Sequence, residues 1–276
     1  NNLSLSDYDN ISSLEDRDLS VSYQNILIGF SAGSNTTTYK NIFIGSEAGK
    51  NNNSGNSNIY IGPKSGFNSL KNYNIFIGSN SGFTNTDGEY NLFMGHDSGF
   101  SNTTGNHNNF IGYESGKFNT DGHDNFFFGY KCGIENTTGY RNMYIGTETG
   151  FNIKTGTDNL FIGYQTGYNA TESNSENIYL GNFTGYKNNG SNNIFINSSN
   201  SNNKEIDTTI SDKFIVYDNN TVNNNKQIQN PLLCGNFSNN IMAINPVDSS
   251  NFSATSEIAI KLVVNGAVKA NSYTSF

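Results

Sequence analysis

His96, Asp97, His107, Glu114, His123 and Asp124 are the residues of this chain whose types and spacing could do chemistry. Imidazoles and carboxylates brought together can hold a metal ion or work as an acid–base pair. A ligand set must recur in space, and the column holding His107 and Asp124 one repeat apart also holds Tyr73, Tyr90, Arg141 and Asp158. We read the six as solvated surface and expect no metal and no cofactor. The glycines stand in Asn-Gly and Thr-Gly turns with no P-loop lysine. No nucleophile, base and orienting group assemble, and no carboxylate pair is spaced for glycoside hydrolysis. The expectation is that the chain is not an enzyme.

The elements that must carry these residues follow from composition and repeat. The chain has 276 residues, 52 of them Asn and 29 Gly, with 34% hydrophobic residues, 14% charged and a net charge of −8. Asn and Gly are poor helix formers and good turn formers, while 20 Phe and 16 Tyr give enough apolar area to reward folding. An acidic chain with no basic concentration is not expected to bind nucleic acid. No run of about 18 apolar residues is present, so no membrane insertion is expected. The absence of an initial Met and of a signal-peptide pattern reads as a processed or trimmed piece. Cys132 and Cys234 read as free thiols.

A repeat decides the fold. The order Asn, apolar, aromatic or apolar, apolar, Gly begins at Asn25, Asn41, Asn58, Asn74, Asn91, Asn108, Asn125, Asn142, Asn159 and Asn177, and it closes at Gly29, Gly45, Gly62, Gly78, Gly95, Gly112, Gly129, Gly146, Gly163 and Gly181. An eleventh copy starts at Asn193 and ends on Asn197. β-branched and aromatic residues over so short a run predict a strand, and the glycines exclude a helix. Four residues on comes a second glycine preceded by a small residue, then a polar turn such as Thr103-Thr104-Gly105, whose glycine is expected to supply a positive φ. The fold class is therefore all-β: a parallel β-solenoid or β-roll of about eleven coils of 16–18 residues. Stacked about 4.8 Å apart, the coils make a rod roughly 50 Å long.

Each stacked column must satisfy itself. The Asn column from Asn25 to Asn193 is expected to bond amide to amide between rungs. Lys64 and Lys131 are expected to form solvated ladder pairs with Glu47, Glu114 and Glu148, worth at most about 1 kcal/mol each. Alternation puts the flanking apolar residues of each strand on one face and the central aromatics on the other, both apolar. One strand per coil has too little of its own to cover both, so a homotrimer of intertwined chains is expected, with a single-chain solenoid as the alternative. Phe67, Phe83, Phe100, Phe151, Tyr168 and Tyr186, one residue after the second glycine, are candidate surface binding positions; the alternative is that they cover the neighbouring loop. The triplets Asn35-Thr36-Thr37 and Asn102-Thr103-Thr104 are inevitable in this composition and say little about glycosylation.

The expected organisation is an N-terminal extension or cap over 1–24, the repeat rod over 25–197, a linker over 198–211 and a β-rich connector over 212–276, with strands at Lys213–Tyr217, Ile241–Ile244 and Ala259–Val264. In that last segment Leu232-Leu233-Cys234-Gly235-Asn236-Phe237, Met242-Ala243-Ile244-Asn245-Pro246 and Leu262 to Tyr273 resemble the connector before the autocleaving intramolecular chaperone of endosialidase-type phage and viral fibres. The repeats resemble those upstream of such connectors and, more loosely, the head coils of trimeric autotransporter adhesins. Cys234 stands where that pattern has an aromatic, and residues 1–24 match nothing in it.

The resemblance implies a fibre trimerised by its chaperone and then cut, with Phe276 as the processed end. It also implies a place on a virion surface or extracellular appendage, beside neighbouring fibre, capsid or tail proteins. Function is then expected to be that of a structural rod attaching to a host glycan or protein receptor. A bacterial trimeric adhesin is the alternative, and a fibre-borne glycan hydrolase a distant one.

Overall fold

A computed structural model describes residues 25–170, 173–196, 211–216, 233–236 and 241–244, the last two stretches by their backbone. The extension 1–24, nearly all of the linker, the strand expected at Ala259–Val264, Asn197 and Phe276 lie outside the described residues.

Each repeat contributes one strand: β1 (Ile26–Ile28), β2 (Ile42–Ile44), β3 (Ile59–Ile61), β4 (Ile75–Ile77), β5 (Leu92–Met94), β6 (Asn109–Ile111), β7 (Phe126–Phe128), β8 (Met143–Ile145), β9 (Leu160–Ile162), β10 (Ile178–Leu180) and β11 (Ile194–Ile196). They pair in parallel, in chain order and in strict register, Ile59 against Ile75 and Tyr60 against Phe76 for example. Eleven strands mark ten complete turns, so the molecule is a β-solenoid of about ten turns rather than eleven. A twelfth parallel strand, β12 (Lys213–Val216), docks on β11, pairing Phe195 with Ile215. β13 (Leu233–Asn236) and β14 (Ile241–Ile244) continue the sheet antiparallel. There is no helix among the described residues.

The strands stop at three residues because the backbone turns at both ends. At the C-terminal end stands the first glycine. Gly45 has φ +136°, and a Cβ there would lie 2.6 Å from the carbonyl carbon of Gly62 in the next coil, so both conformation and packing require its bare Cα. At the N-terminal end the residue before each ladder Asn is left-handed without being glycine, as at Tyr73, Tyr90, His107, Asp124, Arg141 and Asp158. Gly88, Gly105, Gly122 and Gly139 of the polar turns, expected to carry positive φ, do not carry it. Their requirement is steric: a Cβ on Gly122 would lie 2.5 Å from the Gly139 carbonyl oxygen.

The coil closes around the central residue of each strand. Phe43, Tyr60, Phe76, Phe93, Phe110, Phe127, Tyr144, Phe161, Tyr179 and Phe195 form one buried stack, with neighbouring centroids 4.5–5.0 Å apart and planes within 15° of parallel. This corrects the expectation that the aromatic face needs another chain. Its own coil covers it, through the second glycines and through buried amides. A Cβ on Gly116 would stand 2.5 Å from the Phe110 ring, so that glycine lets the backbone fold flat onto the ring. Ser65, Ser81 and Ser98, each just before a second glycine, donate to the carbonyls of the aromatics in the next coil at 2.9–3.0 Å, and Cys132 takes the same place as a free, buried thiol 3.3 Å from the Tyr144 carbonyl.

The Asn column is buried from Asn41 onwards and works differently from a pure amide ladder. Asn108 Oδ1 accepts from the backbone N–H of Asn125 at 3.0 Å, and Asn108 Nδ2 donates to the Gly122 carbonyl at 2.7 Å, which ties the end of the coil to its start. Backbone groups win these bonds because the sharp turns leave them without a ladder partner. Side-chain amides meet one another only as additional contacts, such as Asn125 Nδ2 on Asn108 Oδ1 at 3.1 Å. A true amide ladder exists in a second column: Asn102, Asn119 and Asn136 each donate to the Asn one coil before, at 2.6–2.7 Å, all fully buried.

Candidate functional site

With the aromatics turned inward, the first and third residues of every strand point out. They form two apolar columns along the rod: Ile26 is 51% exposed, Ile28 57%, Phe128 49% and Met143 44%, with Ile75, Met94, Ile162 and Ile196 just under two-fifths. The other outward positions of β2–β11 are half-buried, so the face is partly open along its length. Tyrosines and histidines border it. On the edge where strands begin, Tyr73, Tyr90 and His107 stack 5.0 and 5.3 Å apart; on the edge where they end, His96, Tyr113 and Tyr130 stack 5.4 Å apart. The sequence pattern showed the apolar columns but not these borders, because no single residue type recurs in them.

The candidate binding aromatics lie on another side of the coil and are half-buried. Phe67, Phe83 and Phe100 stack in succession 5.0 and 5.1 Å apart, and Phe151, Tyr168 and Tyr186 stack 4.7 and 5.2 Å apart. Their faces are spent on one another, so what they turn outward is ring edge. Lys117 and the buried Ile134 interrupt the two runs. The first glycines and the ladder asparagines are bound into the frame described above.

The acid–base residues divide into two groups. Asp97 Oδ2 and Glu114 Oε1 hold Lys117 Nζ at 2.9 and 2.7 Å, and Lys131 approaches Glu114 at 3.6 Å. Burial alone would lower the Lys117 ammonium; its hydrogen bonds to Glu114 and Asp97 outweigh that and hold it above its ordinary value. Lys64 lies 3.8 Å from Glu47, whose carboxyl is lowered by its hydrogen bond to Lys50. The second group is His107, Asp124 and His123: the two imidazole Nδ1 atoms lie 3.6 and 2.8 Å from opposite oxygens of one carboxylate. Among the described residues no group of three or more His, Cys, Asp or Glu could hold a metal ion. Asn102 of the Asn-Thr-Thr triplet is sealed in the second ladder, whereas Asn35 is exposed.

What fold and face define is an asparagine-braced parallel β-solenoid with one open apolar side. Comparison with protein-family models, with curated proteins and with solved structures finds no match.

Proposed function

We propose that the chain is the rod of a trimeric fibre on a virion or appendage surface, serving as structural shaft and in attachment to a host glycan or protein receptor. The observation that carries this reading is the open sheet face. Of the 22 outward strand positions, eight are 37–57% exposed and fourteen half-buried, which leaves on the order of 1,000 Å² of largely apolar surface per chain, against about 800 Å² per partner in a standard interface. A monomer seldom leaves so large a contiguous patch uncovered. Copies of the same rod have the same rung spacing and cover it in register, and a closed ring of them ends growth. The resemblance of the C-terminal segment to chaperone-matured fibre connectors supplies the number three. Attachment falls to the polar coil edges and the rod's ends, since the stacked aromatics offer edges rather than free faces.

Sedimentation of the full chain tests the assembly, with three chain masses expected and a single mass with intact β signal overturning it. Expression of the full-length gene tests the setting. Subunits ending at Phe276 with a released downstream fragment support the virion fibre, and an uncut chain anchored to a bacterial surface favours the adhesin.

A further inference from the structure

The rungs of the open face are almost interchangeable. Of its 22 outward strand positions 17 are Ile or Leu, and Met94, Phe126, Phe128 and Met143 keep it apolar at four more. The one that remains is Asn109, the first residue of β6, the middle strand of the eleven. Its backbone N–H donates to the Asn125 carbonyl at 2.8 Å, but its side-chain amide makes no hydrogen bond among the described residues. In register with it stand Leu92 and Phe126, which offer nothing polar. Asn108, next to it in the chain and turned inward, has both atoms of its amide committed to the coil, at 3.0 and 2.7 Å. Two adjacent amides thus do different work. One braces the coil, and the other is half-buried on the outer face without a partner.

We propose that Asn109 sets the axial register of the fibre, the amides of the three chains meeting at one level and bonding to one another; the inference rests on the trimeric reading above. The need for it comes from the repeat. Rods whose rungs lie about 4.8 Å apart, with outward columns of Ile and Leu, can slide by a whole rung and still pack apolar on apolar. Only the end rungs lose their cover. Asn109 makes one rung unlike the rest. In register, each amide donates through Nδ2 and accepts through Oδ1, so a ring of three satisfies itself. Out of register, each amide lies desolvated against the Ile, Leu or Phe of a neighbour. The next rung adds shape to chemistry, since Phe126 and Phe128 are the only aromatics on the face and a slid neighbour meets them with the wrong side chains. A single Asn in an apolar coiled-coil seam fixes register and chain number in the same way, at some cost in stability. The occupant of the face is therefore another copy of this chain, because an identical rod brings a matching amide to the middle of a matching column. The open area, larger than one partner's share of a standard interface, suits that occupant.

The test is co-expression of two forms of the full-length gene, one with a short tag that sets the chain masses apart, followed by native mass spectrometry. Tagged and untagged wild type give the statistical share of mixed trimers. Leu92→Asn combined with Asn109→Ile moves the amide one rung along its own column. That variant is expected to form trimers by itself, while its trimers with wild type fall roughly tenfold or more below the statistical share. Asn109→Ile alone places the commonest residue of the column there, and it is expected to trimerise with the same depletion of trimers holding a single wild-type chain. Statistical mixing of either folded variant overturns the register role and leaves the trimer standing. If the moved variant loses its β signal, the Asn109→Ile mixture decides between the same two results. Depletion found in a dimer supports the register role and overturns the number three. A monomeric wild type overturns the assembly reading itself, and the register role with it.

Discussion

Two tyrosines of the central stack show how narrowly one atom decides its worth here. The Tyr60 hydroxyl donates to Ser69 Oγ at 2.6 Å, and Tyr179 receives a 2.6 Å bond from Asn188, with burial pushing its hydroxyl up to about 12. Tyr144 has Ile153 at the corresponding place, and its buried hydroxyl has no hydrogen-bond partner. A buried hydroxyl left unpaired costs about 1–3 kcal/mol, whereas a paired one contributes about 1. Tyr144→Phe is therefore expected to raise stability by roughly 1 kcal/mol, matching its neighbours Phe127 and Phe161. Tyr60→Phe is expected to lower it by about the same amount. Urea midpoints of the two variants check this, and equal signs would contradict it. On the surface, Asp158 is held below the ordinary carboxylate range by its hydrogen bond to Arg141. A carboxyl lowered on folding lends stability above its unfolded value and loses it as pH falls through the folded one. Melting curves from pH 7 to pH 2 are expected to show a smaller loss below about pH 4 for Asp158→Asn than for wild type.

At the scale of the coil, conformation and register are set by groups that carry no hydrophobicity. Asn108→Ala removes the acceptor for the Asn125 N–H, leaving that buried group unpaired, and takes from the Gly122 carbonyl its shorter donor, leaving it only the 3.0 Å bond from Asn119 Nδ2. The expected cost is about 3 kcal/mol, read from the urea midpoint, with less than 1 kcal/mol contradicting the brace. The period-17 Asn and Gly columns were legible because one residue type fills nearly every rung. The second ladder was not: Ser69, Ile153 and Ala170 interrupt it, and it lies in turns where asparagine is everywhere. The left-handed residues before the ladder Asn were equally hidden, since Tyr, His, Asp and Arg there share no chemistry. They share only a backbone that the coils above and below impose. The self-covered core was missed because its cover was sought among apolar side chains. Flat glycines and paired amides do that work instead, and composition counts neither as core.

For the whole molecule, the outward columns separate folding from assembly. Ile75 and Ile162 sit 37% and 38% exposed on β4 and β9, in register with the residues of the rungs above and below. Lysine at these positions keeps its stem along the sheet and its ammonium in water, so a single chain loses about 1 kcal/mol or less per site. In a trimer closed over this face the same ammonium is buried without a partner, at a cost of several kcal/mol. Ile75→Lys combined with Ile162→Lys is thus expected to leave far-ultraviolet dichroism unchanged while weakening self-association at least a hundredfold in sedimentation equilibrium. A variant that folds and still forms trimers would move the interface off the sheet face and onto the coil edges. A variant that loses its β signal as well would mean that chain folding and association are one event, as expected where neighbouring chains complete the cover of the same strands.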